Sequence, residues 1–155
     1  MVKYIHEVNK MKISTKGRYA LRMFIYLAEN KGKGFVSLKE IAADQNISKK
    51  YLEQIISLFG SSDFLSTNRG PQGGYMLSKS PEKYTVGEIL RITEGDLAPV
   101  ACAADNNAEC GRSGVCKTLP VWQGLSKVVN EYLDGITLQD IIDSYGESGS
   151  DDYMI

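Results

Sequence analysis

The sequence predicts a mostly α chain in which a helix-turn-helix is followed by a small β-hairpin and then by a longer helix. Three observations predict it. Two short helices, each opened by a serine, are separated by about four residues. A glycine-rich segment lies between two strand-like runs. Elsewhere apolar residues recur every three or four positions, the helical period. At 155 residues the chain has the length of one domain and can bury a substantial core.

Each element has a local cause. Ser14 can cap a helix through "TKGRYALRMFIYLAENKG", with Ala20, Phe24, Leu27 and Ala28 on one face and Gly32 ending it. "SLKE" at 37–40 reads as a capping box, with Glu40 reaching back to the Ser37 backbone, and opens a short helix through "IAADQ". Asn46 and Ile47 make a tight turn. Ser48 then caps "KKYLEQIISLFG", whose stripe is Leu52, Ile55, Ile56 and Phe59, ending at Gly60. This order of helix, turn and capped helix is that of a helix-turn-helix. "FLSTN" (64–68) and "YMLS" (75–78) flank "RGPQGG" (69–74), a hairpin whose glycines let the backbone lie close against another surface. Thr85-x-x-Glu88 opens a helix over 86–94 that ends at Gly95. Thr118 and Pro120 start a longer one, striped by Trp122, Leu125, Val129, Tyr132 and Leu133. That stripe follows an already complete compact part, so a helix from a second copy is the expected cover. A last helix runs from "TLQDII" to about Tyr145, and 146–155 is a polar, acidic tail.

Charge and thiols point toward function. Residues 1–80 carry 13 Lys/Arg against 6 Asp/Glu, and residues 81–155 carry 5 against 13. An uneven split of this size suggests that the first half faces a polyanion. The basic hairpin directly after a helix-turn-helix then reads as a wing touching a neighbouring DNA groove. No run approaches 18 apolar residues, which argues against a membrane partner, and the start lacks a signal-peptide core, which points to the cytoplasm. Three cysteines, Cys102, Cys110 and Cys116, stand as Cys-x7-Cys-x5-Cys in a Gly/Asn/Ala-rich loop. An odd, clustered set suggests metal or redox chemistry rather than a disulfide framework. Spacing alone leaves open an iron–sulfur cluster, a zinc site short of a fourth ligand, a dithiol switch, or free thiols.

"KGRYAL" (16–21), "YLEQI" (51–55), "RGPQGGY" (69–75), "VGEIL" (86–90) and "ITLQDII" (136–142) occur in order. Together they resemble the IscR/NsrR/CymR-type family of bacterial winged-helix transcription regulators. The resemblance runs from Met11 to about Ile142, and family members commonly begin at a position like Met11. It implies a winged helix-turn-helix DNA-binding domain over 11–84, a cluster loop with dimerisation helices over 85–145, and flexible termini at 1–10 and 146–155. It also implies a homodimer on a pseudo-palindromic operator of double-stranded DNA, and no enzymatic activity.

Carried over by position, Ser48, Lys50, Tyr51 and Gln54 on the second helix of the helix-turn-helix enter the major groove. Glutamine pairs with adenine, while the others suit phosphates. Glu53, beside them, repels phosphate but can accept from cytosine. Arg69, Gly70, Gln72 and Gly73 belong to a tip that enters the minor groove, and Lys16 is a phosphate candidate. One branch of the family carries three cysteines in this loop as iron–sulfur ligands, which assigns Cys102, Cys110 and Cys116 to a cluster, with 2Fe-2S ahead of 4Fe-4S. Arg112 and Lys117 can offset the thiolate charge. Some relatives place a histidine where this chain has Leu119, so Asp105, Glu109, His6 or a group from the other subunit would complete the site. The implied function is transcription control through iron–sulfur supply, redox state or nitric oxide. The alternatives are a small iron–sulfur or thiol redox protein, or a cluster-independent repressor of cysteine metabolism acting through a partner.

Overall fold

A computed structural model describes residues 12–104 and 111–148. Among these residues are six helices: α1 (Thr15–Glu29), α2 (Leu38–Gln45), α3 (Lys49–Leu58), α4 (Val86–Glu94), α5 (Leu119–Asp134) and α6 (Leu138–Ser148). β1 (Leu65–Asn68) and β2 (Gly74–Leu77) pair antiparallel, with Leu65 opposite Leu77 and Asn68 opposite Gly74. The mostly α, winged-helix expectation is met.

The serine caps form as their chemistry requires. Ser14, Ser37 and Ser48 accept from the backbone N–H groups of Gly17, Glu40 and Tyr51, and Thr85 with Glu88 closes a full capping box. The box expected at Ser37 is only half made. The Glu40 carboxylate instead accepts from the Tyr26 hydroxyl at 3.0 Å, tying α2 to α1. Burial first, and then that carboxylate, push the Tyr26 hydroxyl up to about 12. α1 also ends earlier than Gly32. It stops at Glu29, and the chain makes a separate single turn over Lys31–Lys33. α6 runs past Tyr145 to Ser148, so the first residues of the expected tail are helical.

The core lies where α1 meets α3, the hairpin and α4. Ala20, Met23, Phe24, Ile41, Leu52, Ile55 and Ile89 are fully buried. Phe24, Phe59, Phe64 and Tyr84 stack edge-on or tilted, with centroids 4.8–6.0 Å apart. The Tyr84 hydroxyl donates to the Phe64 carbonyl at 2.7 Å and accepts from the Lys79 N–H at 3.0 Å, so its polar end is satisfied in the interior. A boundary at residue 85 does not divide this core. Ile89 of α4 and Leu138 of α6 are buried in the same cluster as Phe24, because Val86 N–H and Leu138 N–H bridge the starts of α4 and α6. α5 alone stands outside, with no buried residue.

The hairpin gains a third strand-like neighbour. Val36 exchanges both backbone bonds with Tyr75, at 2.9 and 2.8 Å. A side chain at Gly74 would overlap the Val36 carbonyl, so glycine is required there by the chain's own backbone.

Candidate functional site

The helix-turn-helix is joined by Asn46, which takes a left-handed conformation (φ 52°, ψ 47°), and by the buried Ile47, whose N–H returns to the Ala42 carbonyl at 3.1 Å. This turn exposes the start of α3. Ser48, Lys50, Glu53 and Gln54 all reach solvent. The free N–H groups of the first turn and Lys50 make this end electropositive, a suitable surface for phosphate. Glu53 pairs with Lys49 at 4.0 Å, so its charge is partly offset by a neighbouring cation that no motif marks.

Tyr51 differs from its neighbours. It is half-buried and edge-on to Tyr19 of α1, with centroids 5.7 Å apart. The Arg22 guanidinium lies over the Tyr19 ring at 5.1 Å, donates to Gln45 Oε1 at 3.2 Å and also to the Gln45 carbonyl at the end of α2. Arg22 therefore ties α1 to the end of α2, while Tyr19 beneath it meets α3 through Tyr51. No sequence motif announced it. Lys16 is half-buried in the first turn of α1, where the exposed Arg18 is held by the Thr15 hydroxyl at 3.1 Å.

At the wing, Arg69, Gly70, Pro71 and Gln72 are exposed. Gly73 is half-buried and donates to the Gly70 carbonyl at 3.0 Å, closing the tip. Of the sequence GPQGG, the two adjoining glycines thus serve the hairpin's own closure. The side chains left for a partner are Arg69 and Gln72.

The cysteine segment lies between α4 and α5. Cys102 sits half-buried on the single turn Ala101–Ala103, which packs on α5. It lines a cavity of ≈ 680 Å³ together with Arg91, Lys127, Asn130 and Asp134. Cys116 is also half-buried, with its sulfur 3.3 Å from the Thr118 hydroxyl. That hydrogen bond lowers the thiol pKa toward the thiolate. Thr118 stands at the N-cap of α5, but its hydroxyl makes no cap bond and lies against the Cys116 sulfur. Arg112 and Lys117 are exposed nearby in sequence, and Leu119 is the first residue of α5. Cys110, Asp105, Glu109 and His6 lie outside the described residues. Two free thiols, one of them shifted toward thiolate, have the donor chemistry of an iron–sulfur site. Among the described residues no three His, Cys, Asp or Glu side chains stand together as a closed ligand set.

The stripe expected on α5 divides between two faces. Leu133 turns inward and packs against the cluster of Val86, Leu90 and Leu97, and Val129 is half-buried. Leu125 and Tyr132 face out, 41% and 67% exposed, with Trp122 at 36%. Val121 and Val128, 60% and 61% exposed, complete the outer row. Residues 121, 125, 128 and 132 advance by four, three and four, the spacing of a helix-pairing seam.

Among the described residues no helix is long and apolar enough to cross a membrane. Residues 13–144 match the Rrf2 family, described as iron-dependent transcriptional regulators. The HTH-type transcriptional regulator CymR of Bacillus subtilis is 38% identical over 144 residues, 93% of this chain and 98% of that protein. The solved structure of that CymR, described as the global cysteine regulator of B. subtilis, has a TM-score of 0.70 over 86% of this chain and 97% of its own. The structure of T. potens IscR is 35% identical, with a TM-score of 0.71 over 93% and 92% of the two chains. The family and these relatives are regulators of transcription rather than enzymes.

Proposed function

The chain belongs to the Rrf2 family of transcriptional regulators, and from that premise we propose that it is a homodimer whose hold on DNA is set by an iron–sulfur cluster on Cys102, Cys110 and Cys116. In this reading the exposed start of α3 lies in the major groove, where Gln54 reads a base and Ser48 and Lys50 hold phosphates. Tyr51 braces the helix and offers only its outer edge. The Lys49 pair partly offsets the charge that Glu53 brings near the backbone. Arg69 enters the minor groove at the wing, and Lys16 and Arg18 approach phosphate from α1. The seam of Val121, Leu125, Val128 and Tyr132 meets its copy, which places two reading heads on an operator with two-fold symmetry.

When bound, the cluster supplies a link between thiolates that forms with iron–sulfur supply and is lost on oxidation or attack by nitric oxide. The chain's part is to hold and orient it. Cys116 contributes a thiol already drawn toward thiolate, and Cys102 contributes one seated against α5. The observation that carries the reading is this seating: a thiol-bearing turn packs directly on the helix with the exposed seam.

A second reading has one observation in its favour, the 38% identity to a regulator described as a global cysteine regulator. Under it the chain is a repressor that answers a partner and holds no cluster. One experiment separates the two. The protein is purified without oxygen, its visible spectrum, iron and sulfide are measured, and operator fragments are titrated with cluster-loaded and cluster-free protein. The first reading expects a chromophore that Cys102→Ala and Cys116→Ala abolish, with affinities differing by about 5–150-fold between the two forms. A colourless protein that stays so after reconstitution, yet binds operator, leaves the second.

A further inference from the structure

Resting on the cluster reading above, we propose that Arg91 is the positioning residue that carries the ligation state of Cys102 to the DNA-reading body. It does so by fixing how α5 sits on α4. No residue of α5 is fully buried; its inward apolar anchor is Leu133 on Val86 and Leu90, and it rests chiefly on two supports, α4 and the turn Ala101–Ala103. The first support is a fork. Arg91 Nη1 donates to Asp134 Oδ1 at 2.7 Å, while Nη2 donates to Asp134 Oδ2 at 2.8 Å and to Asn130 Oδ1 at 2.6 Å. A two-pronged guanidinium–carboxylate pair fixes orientation as well as distance. Gly87, one turn earlier on α4, leaves the space, since a side chain there would overlap the Asp134 carboxylate.

The second support carries Cys102, and both supports wall the same ≈ 680 Å³ cavity. Nearly one turn beyond Arg91, Glu94 accepts from the Ser14 N–H at 3.1 Å and from its hydroxyl at 2.5 Å. Ser14 is the N-cap of α1. α4 is therefore gripped by α5 through Arg91 and by the start of α1 through Glu94. A shift of the Cys102 turn moves α5. With the fork intact α4 must follow, and the start of α1 with it; without the fork α5 slides over α4 and the motion stops there. The two partners of the fork are 35% and 45% exposed, so the pair adds little to net stability and its loss leaves the fold standing.

The test uses the full chain without oxygen, as wild type, Arg91→Gln and Arg91→Lys, the last keeping the charge but not the fork. Spectrum, iron content, sedimentation and melting temperature are measured for each, and operator affinity is measured with and without the cluster. The expected result is an unchanged chromophore and oligomeric state in both variants. Their ratio of cluster-loaded to cluster-free affinity should fall from roughly fivefold or more to within about twofold of unity. A variant that keeps the wild-type ratio overturns the proposal. So does one that loses melting temperature and both affinities together at constant ratio, the mark of a merely structural role. A wild-type protein without any such ratio overturns the cluster reading itself, and this inference with it, before any variant is made.

Discussion

Arg69 and Glu40 show how far a single residue's role follows from its type. Arg69 stands at the base of the wing, exposed to solvent. Its replacement by alanine should leave the melting temperature unchanged and weaken operator binding by about 1–3 kcal/mol, with a shallower salt dependence. Binding isotherms across a salt series check this, and an unaltered affinity removes the wing from the interface. Glu40 reads in the sequence as half of a capping box, yet its carboxylate belongs to Tyr26, 14 positions earlier. The difference is one of competition. A cap offers an exposed backbone N–H that water can also satisfy, whereas a phenol almost fully out of solvent loses more if left unpaired and takes the carboxylate.

At the scale of elements, caps and turns follow the local sequence because their hydrogen bonds close within three or four residues. Ser14, Ser37, Ser48 and Thr85 all cap as their positions require. The wing is different. Its glycines suggested close approach to a partner, but Gly73 approaches the hairpin's own Asn68 and Gly70 carbonyls, and Gly74 meets a neighbour that contributes only Val36 to the pairing. One residue has no periodicity for a sequence to display. Gly74→Ala should therefore destabilise the fold by about 1–3 kcal/mol, as overpacking does, by pushing Val36 away from Tyr75. Denaturant unfolding measures it, and a neutral change would mean that the Val36 bridge is easily given up.

For the whole molecule, the charge division expected from the sequence is not matched by a division of the main core, which takes in Ile89 and Leu138 from the acidic half. α5 stands beside it on a smaller cluster of Val86, Leu90 and Leu97. α5 has apolar residues on both faces, and the sequence offered no means of deciding which of them this chain covers itself. The fold decides: Leu133 is turned inward onto Val86 and Leu90, while the row through Val128 is left to solvent. If that row pairs with its copy, Val128→Glu places two like charges in an apolar seam. The dimer should then weaken by about 2 kcal/mol or more, the cost of disrupting a central anchor. Sedimentation should show monomer at micromolar concentration, with operator affinity lost alongside because both half-sites must be held together. A dimer that survives the substitution would exclude this row as the interface.

The sequence by itself determined the order of elements, their caps, the helix-turn-helix with its exposed Ser48, Lys50 and Gln54, and the grouping of thiols before a long helix. All of these rest on contacts within a few residues or on simple periodicity. Tertiary structure alone decided that Arg22 braces the helix-turn-helix, that Val36 joins the hairpin, and that Arg91 grips Asp134 from 43 positions away. Such contacts depend on which surfaces the buried core brings face to face, and no local pattern encodes that meeting.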